Sequence, residues 1–389
     1  MLARIPLGRQ ILPDATGGYK RLWAHLTPSA TLQVVILHGM DGMSDPLRSM
    51  LAERGVLLAD GATGTSLFAL GLATGEAPEI WNLEEPEKIR AHYRSFVDAG
   101  SDIFLTNTFG GTSYRLKLHD FQDRVTEINE AGARLGREVA DAADRRVLVG
   151  GSMGPTGELF EPMGALTHAA CEAAFREQAE ALARGGADVL WIETLSAQEE
   201  VDAAIAAARS TGLPVVCTVS FDTNGRTMMG ITPERFARHC RYELAEGPDA
   251  FGSNCGTGAA ELVAAVVNMR AAVDDDAIVV AKANCGIPEW HGSELTYNGT
   301  PELMADYAVL VRDAGANIIG GCCGTTAEHI RRMRTTLDET PPGATPDAET
   351  IVRRLGEVSG GAEKQLAGEA EAADTGGGRG GRRRRRERG

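Results

Sequence analysis

Gly185-Gly186-Ala187-Asp188-Val189-Leu190-Trp191-Ile192-Glu193 reads as the end of a helix, a tight turn, and a strand that is apolar on both faces. Glycine after a helix can take the positive φ that turns the chain sharply into the next strand. A strand without polar alternation is one covered on both sides, as in a parallel sheet. The same punctuation recurs at Ala99-Gly100 and at Ala314-Gly315-Ala316-Asn317. Working outward, strand-like runs occupy 56–60, 102–106, 147–150, 188–193, 215–220, 250–253, 278–282 and 317–320, eight in all. Between them the period becomes helical. Val201, Ile205 and Ala208 share a face, as do Leu262, Val266 and Met269, and Leu303, Tyr307 and Leu310. Eight strand–helix units predict an α/β fold, a closed (β/α)8 TIM barrel. The competing arrangement is an open doubly wound sheet. The first turn, Asp60-Gly61-Ala62-Thr63-Gly64-Thr65, lacks the G-x-G-x-x-G spacing of a dinucleotide fingerprint.

The chain has 389 residues and a formal net charge of −15. That acidity argues against nucleic-acid binding by the folded body. No apolar run is long enough to span a membrane. Seven cysteines, two of them adjacent, are too few for a disulfide scaffold and point to reduced thiols, metal or catalytic use, and a cytoplasmic setting. Three regions are expected. Residues 1–42 are a poorly ordered extension, 43–356 the barrel, and 357–389 a disordered Gly/Arg-rich tail closing on Arg382 to Arg386. Ser44-Asp45-Pro46 reads as an N-cap with a first-turn proline, which makes Met43 a candidate start of the folded protein.

A barrel carries its active site at the C-terminal ends of its strands. Those positions are Asp60, Thr106-Asn107, Ser152, Glu193, Ser220, Asn254-Cys255, Asn284-Cys285 and Cys322-Cys323. Cys171, Cys217 and Cys240 lie within helices or a strand and read as small buried hydrophobes. Gly320-Gly321-Cys322-Cys323-Gly324-Thr325-Thr326 puts two cysteines directly after a buried strand, with Thr325 or Thr326 able to cap the following helix. The dipole at that helix start favours thiolate. With a third cysteine the pair would make a zinc site with an open fourth position. Cys255 and Cys285 compete for that place, and spacing does not choose between them. The alternatives are reduced core thiols or a vicinal disulfide. Three thiolates and Zn2+ sum to one negative charge, a poor Lewis acid for carbonyls. Such a centre suits a fourth thiol held as a nucleophilic thiolate, so an alkyl transfer to sulfur is the expected chemistry.

The motifs Leu58-Ala59-Asp60-Gly61-Ala62-Thr63-Gly64, Thr106-Asn107-Thr108-Phe109, Gly150-Gly151-Ser152-Met153-Gly154-Pro155, Glu193-Thr194, Asn254-Cys255 and Gly320 to Thr326 together resemble the zinc-dependent homocysteine S-methyltransferases. That family includes betaine–homocysteine methyltransferase and the homocysteine domain of methionine synthase. The resemblance spans about 56–337 and implies Zn2+ on Cys255, Cys322 and Cys323, with Cys285 secondary. It implies homocysteine held by Asp60, Gly61, Glu193 and Asn254, and a small methyl donor contacted by Trp81 and Phe109, where a cationic donor would meet an aromatic ring. Phe109 is followed by Gly110, not the tyrosine of the betaine enzyme. Betaine or a related methyl-onium donor is one expectation. Methylfolate use, through a separate corrinoid protein partner, is the other, since the chain has no room for cobalamin- or pterin-binding domains. A homo-oligomer is also admitted.

Two other classes compete. Gly320-Gly321 could cradle phosphate in a TIM-barrel lyase or isomerase, though the cysteines would then be unexplained. A non-catalytic barrel with a basic tail is the third reading.

Overall fold

The computed structural model describes residues 11–13, 19–21, 45–286, 288–291 and 294–369. It forms two compact units, Met1–Asp45 and Pro46–Gly389. In the first, Ile11–Pro13 pairs antiparallel with Tyr19–Arg21. The remainder of the expected 1–42 extension and Met43 lie outside the described residues.

The second unit opens with helix Pro46–Arg54, whose first residue is the proline of the Ser44-Asp45-Pro46 motif. Eight parallel strands make up the sheet: β1 (Leu57–Leu58), β2 (Ile103–Leu105), β3 (Leu148–Met153), β4 (Val189–Leu195), β5 (Val215–Val219), β6 (Ala250–Cys255), β7 (Ile278–Ala283) and β8 (Ile318–Gly321). Each pairs with its sequence neighbour, and β8 returns to β1 through Ile318↔Leu57. A bridge between Ala59 and Ile103 joins β1 to β2 and closes the cylinder. The chain is therefore a (β/α)8 barrel, not an open sheet.

The helices after the strands are α1 (Pro86–Asp98), α2 (Val125–Asp141), α3 (His168–Gly185), α4 (Gln198–Arg209), α5 (Pro233–Arg238), α6 (Ala259–Ala271), α7 (Pro301–Asp313) and α8 (Ala327–Glu339). The turn glycines Gly100, Gly186 and Gly315 all have φ near +100° (104°, 99° and 102°), a conformation in which an L side chain would be strained. A core cluster including Leu57, Ile103, Leu148, Trp191, Val216, Ala250, Val280 and Ile318 fills the barrel, with every strand contributing. Cys171, Cys217 and Cys240 are buried in the layer between strands and helices, as expected of inert thiols.

The expected tail boundary at 357 is corrected. Helix α9, Gly360–Leu366, packs onto the barrel. The Ser359 N–H donates to Glu261 Oε2 at 2.9 Å, the Gly361 N–H donates to Asn224 Oδ1 at 2.8 Å, and Ala362 is buried. Composition hid this helix because its attachment is polar. Residues 370–389, with the arginine run, lie outside the described residues.

Candidate functional site: a thiol triad at the barrel mouth

Cys255 ends β6, and Cys322 and Cys323 come directly after β8, so the intervening strand β7 spaces them. Their sulfurs nevertheless converge. Cys255 Sγ lies 2.9 Å from Cys322 Sγ and 3.9 Å from Cys323 Sγ, and all three lie within 4.8 Å of one another. Two local features produce this. Cys255 sits at φ +60°, a left-handed conformation that folds its side chain inward. The loop after β8 is pinned to the end of β7: the Cys322 N–H donates to Ala283 O at 2.6 Å and the Cys323 N–H to Asn284 Oδ1 at 3.1 Å. Asn284 Nδ2 also donates to Gly256 O, which ties the Cys255 turn to the same residue. Thr326 is the N-cap of α8, with His329 Nδ1 accepting from its backbone.

Cys285 is not part of the triad. It is buried, its Sγ donates to Gly299 O at 3.2 Å, and its N–H donates to Cys323 O. Geometry thus separates two cysteines that spacing left equivalent.

The triad fits a metal ion. A tetrahedral Zn–S distance of about 2.3 Å separates two sulfurs by about 3.8 Å. Without a cation the three thiols cannot ionise together. Hydrogen bonding with Cys255 and Cys322 pulls Cys323 down to about 3, while Cys255, bonded to both, is pushed well above the usual thiol range. A divalent cation would remove that conflict.

Beside the triad lie two buried carboxylates. Glu193 Oε1 accepts from Ser152 Oγ at 2.5 Å. Burial pushes Glu193 up to about 7; Lys282 and Ser152 oppose the rise, and Cys322 and Asp60 add to it. Asp60 accepts from Lys282 Nζ at 2.6 Å and from the Leu105 N–H at 2.8 Å. Burial lifts its pKa, with Lys282 pulling it back. Gly61 is required by close approach, since a Cβ there would lie 2.4 Å from Thr325 O.

Asn254 is wholly buried and already spent. Its Oδ1 accepts from the Thr194 N–H (2.8 Å) and Thr218 Oγ1 (2.7 Å), and its Nδ2 donates to Thr194 Oγ1 (2.7 Å) and faces Cys322 Sγ (3.8 Å). It positions its neighbours and has no atom left for a substrate. Thr194, at φ +65°, depends on this clamp. Trp81, the other expected donor contact, belongs to the packed layer around β2. It is 6% exposed within a cluster containing Ile80, Ile89, Tyr93 and Phe104, and Lys88 Nζ stands 4.3 Å from its ring centroid. A resident cation thus stands over one face of the ring. Phe109 is 36% exposed beyond β2, its ring against Gly154.

The Gly320-Gly321 pair is not an open cradle. A Cβ on Gly321 would lie 2.2 Å from Thr325 Cγ2, and one on Gly320 3.1 Å from Lys282 Cγ. The backbone there faces side chains, which removes the feature that favoured a phosphate barrel. The residue that sequence reading missed is Lys282. Its signal was a lone lysine closing the apolar run Ile278-Val279-Val280-Ala281.

A family model described as Homocysteine S-methyltransferase matches residues 57–337. The chain belongs to the homocysteine S-methyltransferase family. It is 31% identical over 307 residues to methionine synthase of Mycobacterium tuberculosis, covering 75% of this chain and 25% of that protein. Methionine synthase of Mycobacterium leprae is 30% identical over 322 residues, 79% of this chain and 26% of that one. The chain thus spans about a quarter of the length of these curated relatives. The metallated form of the homocysteine methyltransferase MmuM from Escherichia coli superposes with a TM-score of 0.63 at 23% identity, covering 75% of this chain and 99% of that one. Its oxidized form gives 0.64 at 24% identity, over 75% and 99% of the two chains. These structures share the barrel fold. Among the described residues, no helix is long and apolar enough to cross a membrane.

Proposed function

We propose that this chain transfers a methyl group to the thiol of homocysteine, giving methionine, with zinc held by Cys255, Cys322 and Cys323. The observation that carries the reading is the convergence of three thiols beside a buried glutamate at the mouth of a barrel of this family. Bound there, zinc supplies the positive centre that keeps a substrate thiol ionised at neutral pH. The chain's own residues do the rest. Glu193, oriented by Ser152, receives the substrate's ammonium in a charge-assisted bond. In the transfer a sulfur–carbon bond forms as the donor's bond to its methyl breaks, and that electron pair leaves with the donor. Orientation of the two substrates is the main catalytic contribution.

For the donor, the exposed ring of Phe109 supports a small methyl-onium compound such as betaine or S-methylmethionine, held by cation–π contact. A second reading draws on the likeness to methionine synthases much longer than this chain. Phe68, Leu70, Leu159 and Met163, in segments after β1 and β3, are exposed apolar residues suited to a methyl-carrying corrinoid protein. The test is a donor panel: zinc-loaded protein and homocysteine with betaine, S-methylmethionine, or methylfolate plus a corrinoid protein, with methionine measured. Cys322→Ala and Cys323→Ala are each expected to lose bound zinc and methionine formation. Wild-type turnover by a zinc-free variant would refute the mechanism.

A further inference from the structure

Gln178 projects from α3 and is wholly buried. Its Nε2 donates to Thr108 O at 2.7 Å, to Asn129 Oδ1 at 3.1 Å and to Ser152 O at 3.3 Å. Its Oε1 is enclosed as well and has no hydrogen-bond partner among the described residues. A buried carbonyl oxygen without a donor carries a desolvation cost that an apolar side chain of the same length would avoid. Packing alone therefore does not account for an amide at this position. The nitrogen does account for it, because it reaches acceptors on three elements: β3, helix α2 and the turn after β2.

That turn, Thr108-Phe109-Gly110-Gly111, is neither helix nor strand, and its two glycines give it little stiffness of its own. It is held from outside. The Gly110 N–H donates to Glu79 Oε1 at 2.6 Å, and Asn129 Nδ2 donates to Gly111 O at 2.8 Å. Thr108 O accepts from Gln178 and, at 3.0 Å, from the Gly111 N–H. A Cβ on Gly110 would stand 2.8 Å from Glu79 Oε1, and one on Gly111 would stand 2.6 Å from Gln178 Nε2. The gripping side chains thus fill the space that side chains of the turn itself would need. Phe109 alone of the four is exposed. Its carbonyl accepts from the Gly154 N–H at 2.9 Å, and its ring lies against Gly154.

We propose that Gln178 is a positioning residue for the methyl donor: its amide locks the turn after β2 and so presents the Phe109 ring to the donor in one orientation. This deepens the reading that Phe109 meets the donor of a homocysteine methyl transfer and rests on it. Gln178 touches neither substrate. It acts through the backbone of Thr108, one residue before the ring it orients.

The test uses the zinc-loaded full-length protein, homocysteine, and the donor that the wild type turns over among betaine, S-methylmethionine and methylcobalamin. Gln178→Met keeps the length of the side chain and removes the amide. It is expected to lower kcat/KM for the donor about 10- to 100-fold, the scale of loss when a substrate contact is misplaced. Zinc content and the dissociation constant of homocysteine are expected to stay as in the wild type, because Ser152 O keeps Thr108 Oγ1 as a donor at 2.7 Å. Phe109→Ala is expected to lower the same kcat/KM, and adding Gln178→Met to it is expected to lower it no further, since the ring that Gln178 serves is then gone. Gly111→Ala presses on Asn129 and Gln178 from the other side, so it is expected to repeat this pattern and reads the turn if Gln178→Met does not fold. An unchanged donor kcat/KM in Gln178→Met, a parallel loss of homocysteine binding, or losses that multiply in the double variant would each overturn the proposal. A Phe109→Ala protein with full donor kcat/KM would remove the donor contact on which the proposal rests. A wild type that makes no methionine from any of the three donors would instead refute the homocysteine reading itself, and this proposal with it.

Discussion

Cys255 and Thr194 are non-glycine residues held at φ +60° and +65°. A side chain in that region costs of order 1 kcal/mol or more and persists only where the surroundings enforce it. At Cys255 the strain is what turns a sulfur toward the pair after β8. Cys255→Gly is therefore expected to abolish zinc binding while leaving the metal-free protein as stable as the metal-free wild type, or more stable by up to about 1 kcal/mol. Urea unfolding in the presence of chelator measures this. Asn254→Ala acts in the opposite direction. It strips the Thr194 N–H and the Thr218 hydroxyl of their buried acceptor, with an expected loss of about 2–3 kcal/mol in the same assay. Gly320→Ala would press on Ala59, Asp60 and Lys282 together, for about 1–3 kcal/mol.

At the scale of elements, the mouth is built by strand ends that alternate between carrying chemistry and supporting it. β6 and β8 supply the thiols. β7 between them supplies Lys282 and, just beyond its end, Asn284. Asn284→Ala would free both the Cys323 N–H and the Gly256 carbonyl, and is expected to weaken zinc affinity by about 10- to 100-fold, the usual cost of losing an outer partner of a metal site. Chelator competition would read it. Helix α9 is a second case in which attachment matters more than composition. Ser359 is its N-cap and also donates through Oγ to Glu261 Oε1 at 2.5 Å. Ser359→Ala is expected to cost about 1–2 kcal/mol by thermal unfolding while leaving zinc stoichiometry unchanged, since its side chain bonds Glu261 and the Ala362 N–H and not one of the three thiols.

For the barrel unit as a whole, a metal on the triad would clamp β6 to β8 across β7. Ligand that binds only the folded state stabilises it by about 4 kcal/mol at a thousandfold excess over its dissociation constant. Removing zinc with a chelator is thus expected to lower the melting temperature by about 5 °C in a chain of this size, and restoring zinc to recover it. A melting temperature indifferent to zinc would count against a metal shared by these strands.

The periodicity of the chain was enough to determine the barrel. Eight two-face apolar runs, several of them entered through a turn glycine, admit few other ways of burying every strand, and Gly100, Gly186 and Gly315 took the conformation their position demands. The adjacent cysteines and the Asn254-Cys255 motif were legible for the same reason, because strand ends of a barrel meet at one mouth. What sequence could not decide was which groups still have a free atom once the chain is packed. Cys285 and Cys255 are told apart by the left-handed backbone of Cys255 and by the carbonyl or the sulfur that each finds nearby. Asn254 and Asp60 find their partners in Thr194, Thr218 and Lys282, which no local pattern announces. Trp81 has the right ring but lies buried beneath Lys88. Lys282 reads as a strand end until Gly320 opens the passage to Asp60. Hydrogen-bond capacity is consumed between residues far apart in the chain, up to 222 positions for Lys282 and Asp60, and only the tertiary structure brings those partners together.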